Sequence, residues 1–254
     1  MQESSKSLAG YAMREYDKNA FLKSAMLCIM ENPELQKAIA TPQGKISLFG
    51  ALRYAAATGL SLNPQEGKSG IISYGDKIQY QVFKNGILDL AMQSGQVEFV
   101  TCDTVRENDF LEIEKTSDGD KFSFKPALSK RGNIIGFFAA CKLKSGPSHC
   151  KWMTLDEMED HRDKYSAMYK AKPERSPWSK SFEGMGLKTV IKALFRNLSI
   201  SPDIDVAIGS DDKEESDLVN ITPGFSSDDL KKELEKKSEG DKPTAKAEKQ
   251  GSLL

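Results

Sequence analysis

The middle of the chain, residues 97–153, alternates short β-prone runs with tight-turn dipeptides. Runs such as VEFVTCDTV, KFSFK and IIGFFAACKL are separated by Asp118-Gly119, Gly132-Asn133 and Ser145-Gly146. Short turns of this kind join antiparallel neighbours, whereas parallel strands need long crossover connections. The pattern therefore predicts an antiparallel sheet here, and it leaves the helical segments to lie before and after that sheet.

Helical patterns flank the sheet on both sides. Apolar residues recur at helical spacing before it, Gly75-Asp76 marks a hairpin among these helices, and a Thr154-x-x-Glu157 capping box follows it. This order indicates an α+β fold, in which a small antiparallel sheet with hairpins packs against N-terminal and C-terminal helices. The predicted helices cover residues 7–30, 46–58 and 84–93, a segment that begins after Thr154, and a long segment from the loop at 172–178 to about Leu198.

Charge divides the chain near Ile204. Residues 205–254 contain 8 lysines against 13 Asp and Glu, a net charge of −5, whereas residues 1–204 carry +4. With Phe225 as its only aromatic side chain, the acidic segment has too few apolar groups to offset the entropy cost of folding. We expect an ordered core over 1–204 and an acidic, largely disordered tail over 205–254, in which residues 226–237 can form a short helix for a partner.

The remaining composition narrows the class of protein. No apolar run approaches the roughly 18 residues needed to cross a bilayer, and the first residues lack the basic-then-apolar order of a signal peptide. The four cysteines stand far apart without a CxxC pair, which disfavours a disulfide framework or a structural zinc site. We expect a cytoplasmic protein with reduced thiols and no membrane association.

One segment partly matches the sequence pattern of a nucleotide-binding loop. Gly67-Lys68-Ser69 matches the end of the phosphate-binding P-loop, in which backbone amides and a lysine hold the phosphates. The P-loop also requires a glycine five residues before the first of these residues, and that position is Leu62. The segment therefore predicts no nucleotide site, and we expect no cofactor.

The polar side chains suggest neither a metal site nor a nucleophile. Asp109, Glu112 and Glu114 are spaced so that a divalent cation could join them, but charges that alternate along a strand are more simply its solvent face. His149 and Cys150 are adjacent, so a strand would direct them to opposite faces. We expect no catalytic residue and no metal. A metal-dependent nuclease or DNA-repair enzyme that uses the three carboxylates stays the alternative.

Basic and aromatic residues are interleaved in residues 162–196, which contain 9 Lys and Arg against 3 Asp and Glu. A groove for single-stranded nucleic acid needs cations along the phosphates and flat side chains beside the bases, and Tyr165 and Tyr169 lie among the cations. A second cluster lies at a strand-to-helix turn, where backbone amides and a lysine suit a phosphate. The DNA-binding candidates are Arg162, Lys164, Lys172, Trp178, Lys180, Lys188, Lys192 and Arg196 in the first segment, and Tyr80, Gln81, Lys84 and Asn85 in the second.

A simpler explanation exists for both clusters. The first can be a solvated helix face with Trp178 in the core and His161 on the helix surface, and the second can be an ordinary turn. In that case the protein is an assembly or scaffolding protein whose basic face is incidental.

Five short motifs occur in a fixed order along the chain. They are Leu60-x-Leu62-Asn63-Pro64, Gln81-x-x-Lys84-x-Gly86, Ser94-Gly95-Gln96, Pro177-Trp178 and Met185-x-x-Lys188-Thr189. Together they resemble the phage RecT family of single-strand annealing proteins, and the resemblance extends from about Asn32 to Leu198.

The resemblance implies an ATP-independent recombination protein, encoded by a phage or prophage, that acts in the cytoplasm of a bacterial host. Such a protein coats single-stranded DNA, pairs it with a complementary strand and assembles into rings or helical filaments. Its expected partners are single-stranded DNA, the annealed duplex, other copies of the chain and, through the tail, a phage exonuclease or a host single-strand-binding protein. The family motifs place Gln81, Lys84, Lys188 and Thr189 nearest DNA, with Trp178 at the start of the supporting helix.

Overall fold

The computed structural model describes residues 18–198 and 200–212, and it confirms the α+β fold with helices at both ends of antiparallel strands. The expectations for residues 1–17 and 213–254, which include the first part of the N-terminal helix and most of the tail, lie outside the described residues. The helices are α1 (Lys18–Met30), α2 (Pro33–Ile39), α3 (Pro42–Thr58), α4 (Lys84–Gln93), α5 (Leu155–Tyr165), α6 (Ala167–Ala171), α7 (Pro177–Lys180), α8 (Phe182–Phe195) and α9 (Pro202–Asp212).

The strands form three antiparallel groups. A three-stranded sheet has the order β3-β6-β7, and two separate hairpins pair β1 with β2 and β4 with β5. Short turns join the paired strands β1 and β2, β4 and β5, and β6 and β7, as the turn dipeptides predict. The strands are β1 (Ser69–Tyr74), β2 (Lys77–Val82), β3 (Val97–Arg106), β4 (Phe110–Thr116), β5 (Gly119–Lys125), β6 (Ile134–Leu143) and β7 (Ser148–Thr154).

The three-stranded sheet is covered by a different layer on each face. Phe137 belongs to the main core, which the sheet shares with the helices, and its ring lies against Gly186 of α8. The next residue, Phe138, faces the opposite side, where its ring centroid lies 4.7 Å from that of Phe124 on β5. A Cβ atom on Gly186 would stand 2.4 Å from the Phe137 ring. The glycine therefore lets α8 lie close against the sheet.

The β1–β2 hairpin packs on α3 and α9. Strand β2 buries alternate residues, Ile78, Tyr80 and Val82, and leaves the side chains between them nearer to solvent. The hydroxyl of Tyr80 lies 2.6 Å from Oγ1 of Thr58 at the end of α3. This buried hydrogen bond and the alternation fix which face of the hairpin remains open to a ligand.

The helices differ from the sequence prediction in three respects: an earlier start, an additional helix and an interruption. Helix α3 starts at Pro42 because the side chain of Thr41 accepts a hydrogen bond from the Gly44 amide at 2.9 Å and caps it. Helix α2 was not predicted; Asn32 caps it in the same way. The long C-terminal helix is interrupted at Ser181, whose φ of −152° and ψ of 70° are not helical, so α7 and α8 are separate.

Helix α9 spans the position at which the sequence predicts the boundary between core and tail. Ile204, Ala207 and Ile208 are buried in the main core, where α9 contacts α3, β2 and α4. Burying one isoleucine side chain contributes about 1.5–3 kcal/mol to folding, so these contacts hold α9 on the body. The boundary expected after Ile204 therefore falls inside a packed helix, and the folded body includes residues up to Asp212.

Two further expectations from the sequence concern the state of the cysteines and the presence of membrane-spanning helices. Cys28, Cys102, Cys141 and Cys150 are free thiols, and burial raises the pKa of Cys141 and Cys150 to about 11. These two thiols are therefore protonated at neutral pH and are poor nucleophiles. None of the helices in residues 18–198 and 200–212 combines the length and apolar character needed to cross a bilayer.

Candidate nucleic-acid interface

An open groove of about 670 Å³ lies between the β1–β2 hairpin and helices α5 to α8. Its volume falls in the range of roughly 300–1,000 Å³ that is usual for sites holding drug-sized ligands. The groove brings together predicted DNA-binding residues from segments far apart in the sequence. These residues are Gln81, Lys172, Trp178, Lys188, Thr189 and Lys192.

The charged side chains that line this groove give it an excess of positive charge. Lys172, Lys188 and Lys192 line it, and no Asp or Glu does so within the described part of the chain. A smaller cleft of about 190 Å³ near the end of α3 differs, because Glu66 and Asp89 line it together with Lys68. The excess of positive charge is therefore a property of the larger groove, and it suits a polyanion.

Helix α8 positions two of the lysines one turn apart. Lys188 is only 9% exposed, and its Nζ lies 6.0 Å from the centroid of the Phe83 ring. The protein therefore encloses most of the Lys188 side chain, although Lys188 is one of the residues that line the groove. Lys192 follows four residues later and is half-buried, and Thr189 lies beside Lys188 on the same wall.

Trp178 forms part of the groove wall from within the core. It is 6% exposed, and its ring centroid lies 5.7 Å from that of Phe182, which in turn lies 5.9 Å from that of Phe137. This aromatic series connects the start of α7 to the sheet. Trp178 therefore packs α7 against α8, and it offers little surface of its own for stacking.

Tyr80 and Gln81 are neighbours on β2, so their side chains lie on opposite faces of the strand. Gln81 lines the groove, where its Nε2 donates a hydrogen bond of 2.7 Å to the hydroxyl of Tyr74. Tyr80, the neighbouring candidate, is 2% exposed and directed into the core. Of these two neighbours, Gln81 is therefore the one whose side chain meets the groove, and the side chain of Tyr80 is enclosed by the core.

Lys84 and Asn85 lie at the start of α4, outside the residues that line the groove. Phe83 precedes them as the N-cap residue and makes no side-chain capping hydrogen bond, and its ring is the one near Lys188. Lys84 is half-buried and Asn85 is exposed. The start of α4 is therefore a neighbour of the groove, connected to it through Phe83.

Arg162 has an intramolecular role in this structure. Its Nε donates to Asp163 at 2.7 Å, and its guanidinium carbon lies 4.4 Å from the Tyr169 ring centroid and 5.8 Å from that of Phe182. The hydrogen bond with Asp163 raises the pKa of Arg162 above its ordinary value. Arg162 thus fastens α5 to α6 and α8. Three other candidates, Lys164, Lys180 and Arg196, are exposed and do not line the groove.

Part of the groove wall was not predicted from the sequence. Tyr74, Gln79 and His161 line it although none was a candidate, and Tyr165 lines it although it was noted only as an aromatic among the cations. The spacing of His161 and Tyr165, four residues apart on one helix, was the available signal. The contribution of the β1–β2 hairpin required the tertiary structure.

The carboxylates of the alternative enzyme hypothesis do not converge. Asp109 is 0% exposed at its side chain and is held by Arg131, with 2.6 Å between Oδ2 and Nη2. The hydrogen bonds from Arg131 are the main cause that lowers the pKa of Asp109 to about 2. Glu112 and Glu114 are exposed on β4, and Glu114 pairs with Lys121. Within residues 18–198 and 200–212, no group of three or more His, Cys, Asp and Glu side chains could hold a metal ion.

Comparison with known proteins assigns the chain to a family. The model of the RecT family matches residues 19–222, which is most of the chain. The chain belongs to the RecT family. This result confirms the family predicted from the five motifs, a family of DNA recombination and single-strand annealing proteins.

Two curated relatives agree with the assignment. The chain is 28% identical over 177 residues to Protein RecT of Escherichia coli (strain K12), with 66% of this chain and 64% of that protein covered. It is 26% identical over 201 residues to the uncharacterized protein YqaK of Bacillus subtilis (strain 168), with 79% and 68% covered. The chain therefore spans about two thirds of the length of these relatives.

Proposed function

We propose that this protein is an ATP-independent single-strand annealing protein of homologous recombination that binds the backbone of single-stranded DNA in the groove between the β1–β2 hairpin and α8. The observation that carries the proposal is the groove itself, which three lysines and no described carboxylate line. Family membership supports the same function. The other groove candidates, Gln81 and Thr189, add polar groups that suit phosphate or sugar oxygens.

The proposed reaction needs no catalytic side chain. Complementary strands gain about 1.4 kcal/mol for each stacked base-pair step, so pairing is downhill without nucleotide hydrolysis. The barrier is kinetic, because phosphates on the two strands repel each other and intrastrand structure hides the bases. A protein lowers this barrier when it neutralises one backbone and holds the strand extended.

Wild-type protein provides the direct test. Two complementary fluorescent oligonucleotides are mixed with the protein in the absence of any nucleotide triphosphate, and duplex formation is followed over time. The proposal predicts faster pairing than in protein-free buffer, and equal rates would refute it. The same samples with added magnesium, run on a denaturing gel, test the nuclease alternative: shortened strands would favour it, and full-length strands favour annealing.

We further propose that the active form is an oligomer, a ring or a helical filament that holds the annealed product. One groove of about 670 Å³ can contact only a few nucleotides, so stable coating of a long strand requires neighbouring subunits to act together. Light scattering at saturating single-stranded DNA tests this proposal. A mass that stays at 28.1 kDa plus one bound oligonucleotide would contradict it.

The acidic segment after the folded body is proposed to recruit a phage exonuclease or a host single-strand-binding protein. The alternative is that it competes with DNA for the groove. A chain that ends after Asp212 separates the two, because it keeps α9 and therefore the core. Recruitment predicts unchanged DNA affinity and loss of partner capture, whereas competition predicts tighter DNA binding.

A further inference from the structure

Tyr165 is an unusually exposed aromatic side chain beside the groove. It lies at the end of α5, is 65% exposed, and lines the groove together with the three lysines. His161 lies one helical turn earlier and also lines the groove; the centroids of the two rings are 4.8 Å apart with 46° between their planes. Lys164 Nζ lies 5.2 Å from the centroid of the Tyr165 ring, but most of the tyrosine side chain is still exposed, so the pair forms an aromatic surface that the fold leaves largely uncovered.

The backbone that carries this pair is held in place from both ends. Helix α5 begins with a capping box in which Thr154 and Glu157 exchange side-chain-to-backbone hydrogen bonds. At its other end Ser166 accepts a hydrogen bond from the amide of Tyr169 at 3.2 Å and so starts α6. Between them Arg162 connects α5 to the rings of α6 and α8. The aromatic surface is therefore pre-organised, which reduces the entropy cost of binding.

We propose that Tyr165, backed by His161, is a stacking platform for an unpaired base of the strand that occupies the groove. Every base has a flat π-face, so such a platform accepts any sequence. Within a duplex those faces are covered by neighbouring pairs, so the platform favours single-stranded over duplex DNA. This inference rests on the proposed function, because it assumes that the groove lysines meet the phosphates of the same strand.

Stacking and charge neutralisation differ in their salt dependence, and this difference defines the first test. Tyr165→Leu should weaken binding of a labelled oligothymidylate roughly five- to hundredfold at every salt concentration, as expected for the loss of one stacked base. The slope of log affinity against log salt should not change, since no phosphate contact is lost. Tyr165→Phe keeps the ring and should bind within about twofold of wild type. Phe99→Leu, at an exposed aromatic on β3 outside the groove, is the matched control and should have no effect.

An abasic oligomer of the same length provides the second test, because it has the same phosphates and no bases. The ratio of affinities for normal and abasic oligomers should be roughly five- to hundredfold larger for wild type than for Tyr165→Leu. Equal ratios would overturn the platform. So would wild-type affinity in Tyr165→Leu, or a reduced salt slope in that variant. The wild-type ratio alone is informative if a variant folds poorly, since a value near one excludes base stacking.

The platform and the groove assignment fail in different ways. If Lys192→Met leaves the salt slope unchanged, the groove does not bind phosphates and the proposed function loses its site. If Lys192→Met lowers the slope while the two affinity ratios remain equal, the groove assignment stands and only the platform is wrong.

Discussion

Replacing Lys188 by methionine removes one charge from the groove and keeps most of the packing of the side chain. Lys188 is buried with its ammonium group near Phe83, and methionine is similar in length and apolar, so the α8 packing should survive. Each phosphate neutralised on a single strand contributes about 0.7 to the slope of log affinity against log salt. Loss of one contact should therefore weaken binding about 25-fold at 0.01 M salt, about fivefold at 0.1 M and hardly at all near 1 M.

Fluorescence anisotropy of a labelled oligothymidylate over this range of salt concentrations measures the slope directly. Lys121→Met is the matched control, because Lys121 lies on the β4–β5 hairpin, on the opposite side of the three-stranded sheet, and pairs with Glu114. It removes the same charge from the chain at a distance from the groove. An unchanged slope in Lys188→Met, or an equal change in Lys121→Met, would refute the assignment of phosphate binding to this groove.

Three further predictions concern the stability of the folded body and are checked by urea unfolding. Asp109→Asn should cost on the order of 3 kcal/mol, because it leaves Arg131 without its ionised partner. The folded pKa of Asp109, about 2, lies below the unfolded value near 3.9. The ionised Asp109 therefore stabilises the fold above about pH 4, and this contribution is lost as the pH falls through about 2. If Asp109→Asn lost stability in acid to the same extent as wild type, this reasoning would be wrong. Gly186→Ala should cost about 1–3 kcal/mol, because the new Cβ meets the Phe137 ring, and it should weaken DNA binding as α8 shifts; unchanged stability would show that the close approach is not required. Thr154→Ala should cost about 1 kcal/mol through loss of the α5 cap, and a neutral effect would mean that the capping box adds nothing to stability.

Local signals in the sequence were sufficient for much of the fold. Turn dipeptides placed the β1–β2 and β4–β5 hairpins, and the Thr154 capping box placed the start of α5, because these features depend on neighbouring residues alone. The interruption at Ser181 was not predictable in this way, since apolar spacing continues across it. The same applies to α9, whose acidic composition favoured disorder although Ile204 and Ile208 are held by tertiary contacts.

Some features of the groove could be predicted from local sequence patterns, and others depend on the tertiary structure. Lys188 and Lys192 were recognisable from their spacing on one helix. The pattern of β2 also contained the information that separates Tyr80 from Gln81, because alternate residues of a strand face opposite sides. What the sequence does not contain is the approach of the hairpin to α5 and α8, which creates the groove and adds Tyr74 to its wall.

The annealing rate of a groove variant tests the central claim most directly. Wild type, the double variant Lys188→Met/Lys192→Met and the control Lys121→Met are each mixed with complementary fluorescent oligonucleotides at about 0.1 M salt without nucleotide triphosphate. Two lost phosphate contacts weaken strand binding about 25-fold at this salt concentration, so the double variant should anneal far more slowly than wild type while Lys121→Met stays close to it. Equal annealing by all three proteins would contradict the account, because the lysines of the groove would then have no part in pairing the strands.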